Sequence, residues 1–370
     1  MIKLIDLVYH SHLNYTRPQQ VTENHAPALT FATYLNDRLD FAFVKHTTFE
    51  QYAVMNGVPY YFFKGRNRFW SITIKTHVLI RKLKPDIVLV QGLVFPLQVM
   101  FLKLFCGNKF KLVIQHHGEL PSDGLKGRLQ KIACNMTDAF LFTSAGNADA
   151  WKKKNIIRPD ARIFELLEAS TVFKPIDKAL AKQHTGVTGK ANFIWVGHLN
   201  KNKDPLTVLN GFHDYLHINP AAKLYMIYQT DALLNDIKQL IASATLLSNS
   251  VVLVGEVANT DLPYWFSAVD FYISGSHKEG SGYALLEAMA CGCIPVVTTI
   301  PPYKKITLNG EYGFLYPPGD ACALGETLKG LEGTDWQKLS AAVLSHFNKN
   351  LSFKTIADDL VYICHQLMDK

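Results

Sequence analysis

The chain has 370 residues, 48% hydrophobic and 19% charged, a composition that can bury a core and that excludes wholesale disorder. No apolar run reaches the ~18–20 residues of a membrane span, the start has no cationic, apolar leader pattern, and six cysteines without C-x-x-C point to a reducing cytoplasm rather than a disulfide scaffold. The net charge is +7, split unevenly: residues 1–185 hold 25 basic and 14 acidic residues, the remainder 13 and 17. The length predicts two or three domains, and halves of opposite sign predict domains with different partners, an anionic one for the basic half.

In chain order, short runs rich in β-branched and aromatic residues fall at 2–9, 41–44, 86–91, 110–115, 138–143 and 163–167. A second set falls at 193–196, 223–228, 250–254, 270–274 and 294–298. Helical spacing of apolar residues marks 205–216, 231–246 and 285–290. Continuous apolar strands alternating with helices predict an α/β protein of two doubly wound, parallel-sheet, Rossmann-like domains. The polar, glycine-punctuated stretch 183–190 is the expected linker, dividing a domain 1–185 from a domain 186–350. Between 51 and 85, Lys64, Arg66, Arg68, Lys75, Arg81, Lys82 and Lys84 meet no acid and are interleaved with Phe62, Phe63, Phe69 and Trp70. Such a stretch suits anionic headgroups or an anionic substrate. Alternatively, it is a helix with a solvated basic face that packs Phe69, Ile72, Ile74, Val78 and Leu79 inward.

Two facing domains of this class would bind ligands at the carboxyl ends of their strands, where helix N-termini point into a cleft. Neither G-x-G-x-x-G after the first strand nor a Walker loop at 186–191 is present, which counts against a nicotinamide dehydrogenase and against a P-loop NTPase. In place of the glycine loop stands His10-Ser11-His12, read as the turn after the first strand.

The segment 274–297 carries most of the chemistry. A strand ends near Ser274, Lys278-Glu279-Gly280-Ser281-Gly282 turns, and a helix opens near Gly282. Glycines there admit a phosphate or diphosphate to the amides of the first turn. Glu287 lies inside that helix among Leu285, Leu286, Ala288 and Met289; a carboxylate in such company needs donors, and sugar or ribose hydroxyls would serve. The bland alternative makes Glu279 an acid favoured by the helix dipole and Glu287 a surface residue.

The E-x7-E spacing of Glu279 and Glu287, followed by Ala288-Met289-Ala290-Cys291-Gly292-Cys293-Ile294-Pro295-Val296-Val297, resembles the signature of the group 1 family of retaining nucleotide-sugar glycosyltransferases, which have the GT-B fold. Val196-Gly197-His198-Leu199-Asn200-Lys201-Asn202-Lys203 is similar to that family's Val-Gly-Arg-Leu-x-x-x-Lys, and residues 351–370 resemble the terminal helix that returns to the first domain. The resemblance implies that Glu287 holds ribose hydroxyls and Glu279 the transferred sugar. It also implies that amides around Gly280, Ser281, Gly282 and Tyr283 receive sugar and diphosphate, and that Lys203 steadies the leaving diphosphate. His198 stands where the family has arginine, leaving an imidazole in place of a guanidinium fork.

After the strand ending at Gln115, His117 in His116-His117-Gly118-Glu119 is expected to hydrogen-bond the transferred sugar or the acceptor. A metal site from the two histidines lacks a third ligand at a convincing spacing, no D-x-D appears, and no metal or cofactor beyond the donor substrate is expected. Cys291 and Cys293 read as packing at a tight turn; Glu165 and Glu168 are assigned no role. The expected protein is therefore a cytoplasmic glycosyltransferase. It takes a nucleoside diphosphate sugar and a carbohydrate or lipid-linked acceptor, with peripheral membrane contact through 64–84 and no nucleic acid. A nucleotide-sugar epimerase of the same fold and a non-catalytic nucleotide-sugar-binding partner are its rivals.

Overall fold

The computed structural model describes residues 1–12, 15–20, 31–65 and 73–369, with His12 described in its backbone only. They form two compact units, residues 1–169 with 353–370, and residues 170–352.

The first unit is built on eight strands: β1 (Lys3–His12), β2 (Asp40–Thr47), β3 (Gln51–Met55), β4 (Val58–Lys64), β5 (Ile87–Gln91), β6 (Lys111–Gln115), β7 (Ala139–Phe142) and β8 (Ile163–Glu165). Their order is β3-β4-β2-β1-β5-β6-β7-β8. All neighbours run parallel except β3 and β4. Central β1 is apolar on both faces because both are covered. Leu4 packs with Phe41, Phe43, Leu89 and Val113 on one face, and Ile5 and Leu7 with Val44, Val88, Val90 and Ile114 on the other. The first face is closed by the helix Phe353–Met368, which buries Phe353, Ile356, Ala357, Leu360, Ile363, Cys364 and Leu367 at helical spacing.

The second unit carries β9 (Asn192–Gly197), β10 (Lys223–Tyr228), β11 (Val251–Gly255), β12 (Phe271–Ser274), β13 (Ile294–Thr298) and β14 (Phe314–Tyr316) in the order β11-β10-β9-β12-β13-β14, all parallel. The helix Pro205–Leu216 starts from Asp204, whose carboxylate accepts from the Thr207 amide at 3.2 Å, and it buries Val208, Leu209, Phe212 and Tyr215 against Phe193 and Trp195.

Several expectations from sequence change here. The segment 183–190 begins within a helix, Lys178–Thr185, N-capped by Asp177 and ended by Gly186, and the division between units falls at Ala169 and Ser170. The aromatic run at 51–64 is a β-hairpin: Asn56 (φ 51°) and Gly57 (φ 78°) give the two positive φ angles of a type I′ turn. Arg66, Arg68, Phe69, Trp70 and Ile72 lie outside the described residues. The helix beyond them, Ile74–Leu83, turns Thr76, His77 and Ile80 inward, while Ile74 and Val78 face solvent. His77 takes the inward position because the Tyr9 hydroxyl meets its Nε2 at 3.0 Å. His10-Ser11-His12 does not form a turn but extends β1, with a register shift between Val8 and Ser11.

Candidate active site

In the second unit's sheet, chain order reverses between the paired strands β9 and β12. Open α/β sheets bind ligands outside the carboxyl ends of the strands at such a switch point. The loops leaving β9 and β12 are laced together there. The His277 amide donates to the Asn202 carbonyl at 2.8 Å, the Asn202 side-chain amide donates to the Lys278 carbonyl at 3.0 Å, and His277 Nε2 meets Asp204 Oδ2 at 2.9 Å. A Cβ on Gly275 would lie 2.6 Å from the Asp204 carbonyl oxygen, so the backbones approach as only glycine allows.

This lacing brings Lys203 onto Glu279, and the ammonium and carboxylate form an ion pair. Glu279 also accepts from the buried Tyr303 hydroxyl at 3.3 Å. Burial holds the Tyr303 phenol well above its ordinary pKa, so it stays a donor. Tyr303 in turn meets Ser274 Oγ at 3.1 Å. Next along the chain, Gly282 (φ +65°) caps the helix Tyr283–Ala290, and its carbonyl accepts from the Leu285 and Leu286 amides. Gly280 is half-buried, Ser281 buried and Tyr283 exposed. One and a half turns in, the Glu287 carboxylate has no hydrogen-bond partner among the described residues, and burial pushes it up to about 7. His198 is exposed at the end of β9. Lys203, Glu279, Gly280, Ser281, Gly282, Tyr283 and Glu287 thus share one end of one sheet. Asn202, Asp204, His277 and Tyr303 support them and were missed from sequence, although Asp204 before Pro205 is a recognisable helix start.

The first unit has its own switch point, between β1 and β5. Gln91, ending β5, donates its amide to Asp6 Oδ2 at 2.7 Å and meets His117 Nε2 through Oε1 at 2.6 Å. His117 Nδ1 forms an ion pair with Glu168. Glu119 accepts from the His117 amide at 2.7 Å and the Leu93 amide at 3.1 Å. Burial raises Asp6 to about 6, against the pull of Lys45 and Gln91. His116 is buried and stacked on Phe142; its Nδ1 accepts from the Gly118 amide and its Nε2 donates to the Glu119 carbonyl, so the protein itself satisfies both ring nitrogens. Glu165 accepts from the Ala145 amide. The Cys291 thiol lies against the Lys174 carbonyl and the Cys293 thiol against that of Phe266, and burial pushes Cys291 up to about 12.

Among the described residues no helix is long and apolar enough to cross a membrane. Residues 177–340 match the model of the family described as glycosyl transferases group 1. The chain is 28% identical over 176 residues to the mannosylfructose-phosphate synthase of Agrobacterium fabrum, covering 46% of this chain and 37% of that one. It is 24% identical over 220 residues to the lipopolysaccharide core biosynthesis mannosyltransferase LpsB of Rhizobium meliloti, covering 57% and 62%. The chain thus spans less than two thirds of the length of either relative. The structure of Anabaena HepE in complex with UDP superposes with a TM-score of 0.72 at 14% identity, over 99% of this chain and 100% of that one. That likeness establishes the fold: two parallel α/β sheets as in the GT-B glycosyltransferases.

Proposed function

We infer that this chain, whose residues 177–340 belong to the group 1 glycosyl transferases, moves a sugar from a nucleoside diphosphate sugar to an acceptor hydroxyl with retention at the anomeric carbon. The observation that carries this reading is the meeting of Lys203 and Glu279 at the β9/β12 switch point, beside a helix that opens on Gly282 and holds Glu287. In this reading Lys203, with His198, contacts the diphosphate and offsets the charge that builds on it as the glycosidic bond breaks. Amides of Gly280, Ser281, Gly282 and Tyr283 face sugar and diphosphate. Glu279 accepts from sugar hydroxyls and Glu287 from the ribose diol. His117 supplies a hydrogen bond to sugar or acceptor from the first unit. UDP in the HepE structure and a mannosyltransferase among the relatives favour a hexose donor of this class.

For the acceptor we propose a carbohydrate or lipid-linked intermediate, reached from the cytoplasm by peripheral contact of 64–84 with anionic headgroups. The surface around the helix Ile74–Leu83 supports that contact. Ile74 and Val78 are exposed beside Arg81 and Lys82, the neighbouring helix Pro96–Cys106 exposes Phe101, Leu104 and Phe105, and Arg81 lies 5.6 Å over the Phe105 ring.

The test is incubation with a panel of nucleoside diphosphate sugars. Slow release of free sugar supports the transferase. Interconversion of the sugars makes it an epimerase, and binding without turnover makes it a silent nucleotide-sugar binder.

A further inference from the structure

Five polar side chains at the carboxyl end of the first unit's sheet form one connected set: Asp6 on β1, Gln91 ending β5, His117 and Glu119 after β6, and Glu168 after β8. An ionised carboxylate has no proton to give, so the Gln91 atom facing Asp6 must be its NH₂ and the one facing His117 its carbonyl oxygen. A carbonyl oxygen only accepts, so His117 Nε2 must carry a proton. Glu168 faces the other ring nitrogen, and its carboxylate also only accepts. With a carboxylate against Nδ1 and a carbonyl oxygen against Nε2, these neighbours favour a proton on both ring nitrogens, the imidazolium form.

We propose that Glu168 is a positioning residue for the transfer reaction: with the Gln91–Asp6 pair it clamps His117 as a doubly protonated ring whose Nε2–H is the donor offered to a substrate hydroxyl. The inference rests on the proposed function for what His117 touches, but not for the clamp. A substrate hydroxyl takes the place of Gln91 Oε1 as acceptor, with no change in protonation. The groups facing the ring are Asp6 and its neighbour Lys45, Glu119, Glu168 and His116. Burial opposes the charge on His117 but is outweighed by Glu168, then Glu119 and Asp6, so its pKa stands above the ordinary value. The Glu168 side chain is 5% exposed and that of His117 36%, so water reaches the pair from the ring's side only. With Asp6, Glu119 and Glu168 around one imidazolium and Lys45, this end of the sheet suits a neutral polyol rather than a phosphate. The phosphate of a charged acceptor would have to lie elsewhere on the basic unit.

The clamp is read by a pH titration of ¹⁵N-histidine-labelled protein, following ring nitrogens by NMR, with His117→Gln assigning the signal. Wild type should show both His117 nitrogens protonated at pH 7. Glu168→Gln should lower the midpoint by about one to three pH units, and Glu168→Asp should restore most of it. A neutral His117 ring in wild type at pH 7, or the same midpoint in Glu168→Gln as in wild type, overturns the clamp. The wild-type arm decides even if Glu168→Gln fails to fold. If sugar transfer is detected, the alkaline limb of its pH profile should move to lower pH in Glu168→Gln. A titration that behaves as expected in a protein that turns over no nucleotide sugar keeps the clamp and refutes the transferase reading.

Discussion

Lys203 and Glu279, in loops that leave different strands, form an ion pair whose members are only 23% and 12% exposed. Each thus sets the other's charge environment, and their substitutions should not add. Lys203→Ala should lower sugar transfer by roughly 10²–10³-fold, the range seen when one donor to a developing anion is removed. It leaves the carboxylate of Glu279, 12% exposed, beside the Tyr303 hydroxyl without its cation, so part of the loss is electrostatic repulsion of the donor diphosphate. Adding Glu279→Gln should therefore recover diphosphate affinity relative to Lys203→Ala alone. Calorimetry with the nucleoside diphosphate on both single variants and the double measures this, and strictly additive losses would show that the pair is not coupled.

Glu287 works against the fold. Its carboxyl is raised from 4.5 to about 7 by burial, so the folded chain holds a proton there that the unfolded chain gives up. Stability from this group is present below pH 4.5, falls as pH rises through the window to 7, and stays low above it, a loss of about 3 kcal/mol. Glu287→Gln removes the penalty, so its thermal transition at pH 8 should lie above wild type while nucleotide affinity collapses. A variant that binds nucleotide normally would strip Glu287 of its assigned place.

His198 is exposed at the end of β9, and the arginine expected by resemblance would add a bidentate fork there. His198→Arg should tighten diphosphate binding severalfold in the same calorimetric assay. Weaker binding would mean that the imidazole itself fits the ligand.

The grouping of Lys203, Glu279, Gly282 and Glu287 in the second unit was readable because these residues sit in motifs local in sequence, whose spacing survives folding. Strand positions there were also close, since buried parallel strands are continuous apolar runs; only the short β14 escaped. The first unit was less readable for a physical reason. Asp6, Gln91, His117 and Glu168 come from four segments up to 162 positions apart, and nothing in local pattern says that they meet. Asp6 did leave a trace, an acid within an apolar strand, where a buried charge demands partners. The hairpin at 51–64 was hidden by its own aromatics and lysine, which mimic a basic amphipathic stretch, although Asn56-Gly57 is a strong turn signal.

Gly282 is fixed twice over. Its φ of +65° lies in the left-handed region, and a Cβ there would meet Tyr303 Cε1 at 2.7 Å. Gly282→Ala should cost about 1–2 kcal/mol from the backbone alone. Displacement of the ring adds to that, and because Tyr303 also holds Glu279, activity should fall more than stability. Melting curves and nucleotide-sugar hydrolysis on the same preparation separate the two effects. Unchanged hydrolysis with a lowered transition would show that Tyr303 does not steer Glu279.

The two neighbouring helices of the first unit that expose Val78 at 49% and Leu104 at 68% carry Arg81 and Lys82 beside them. Apolar tips supply insertion, and each basic residue near an anionic surface adds about 1 kcal/mol. Flotation with vesicles should therefore recover more protein on anionic than on zwitterionic lipid. The difference should shrink at high salt, where surface charge is screened. Lys82→Glu with Lys84→Glu should lower recovery on anionic vesicles alone, whereas Val78→Glu with Leu104→Glu should lower it on both. These two signatures distinguish charge from insertion. Equal recovery on both lipids in wild type, unaffected by either pair, would detach this face from the membrane and leave the basic half to hold its substrate only.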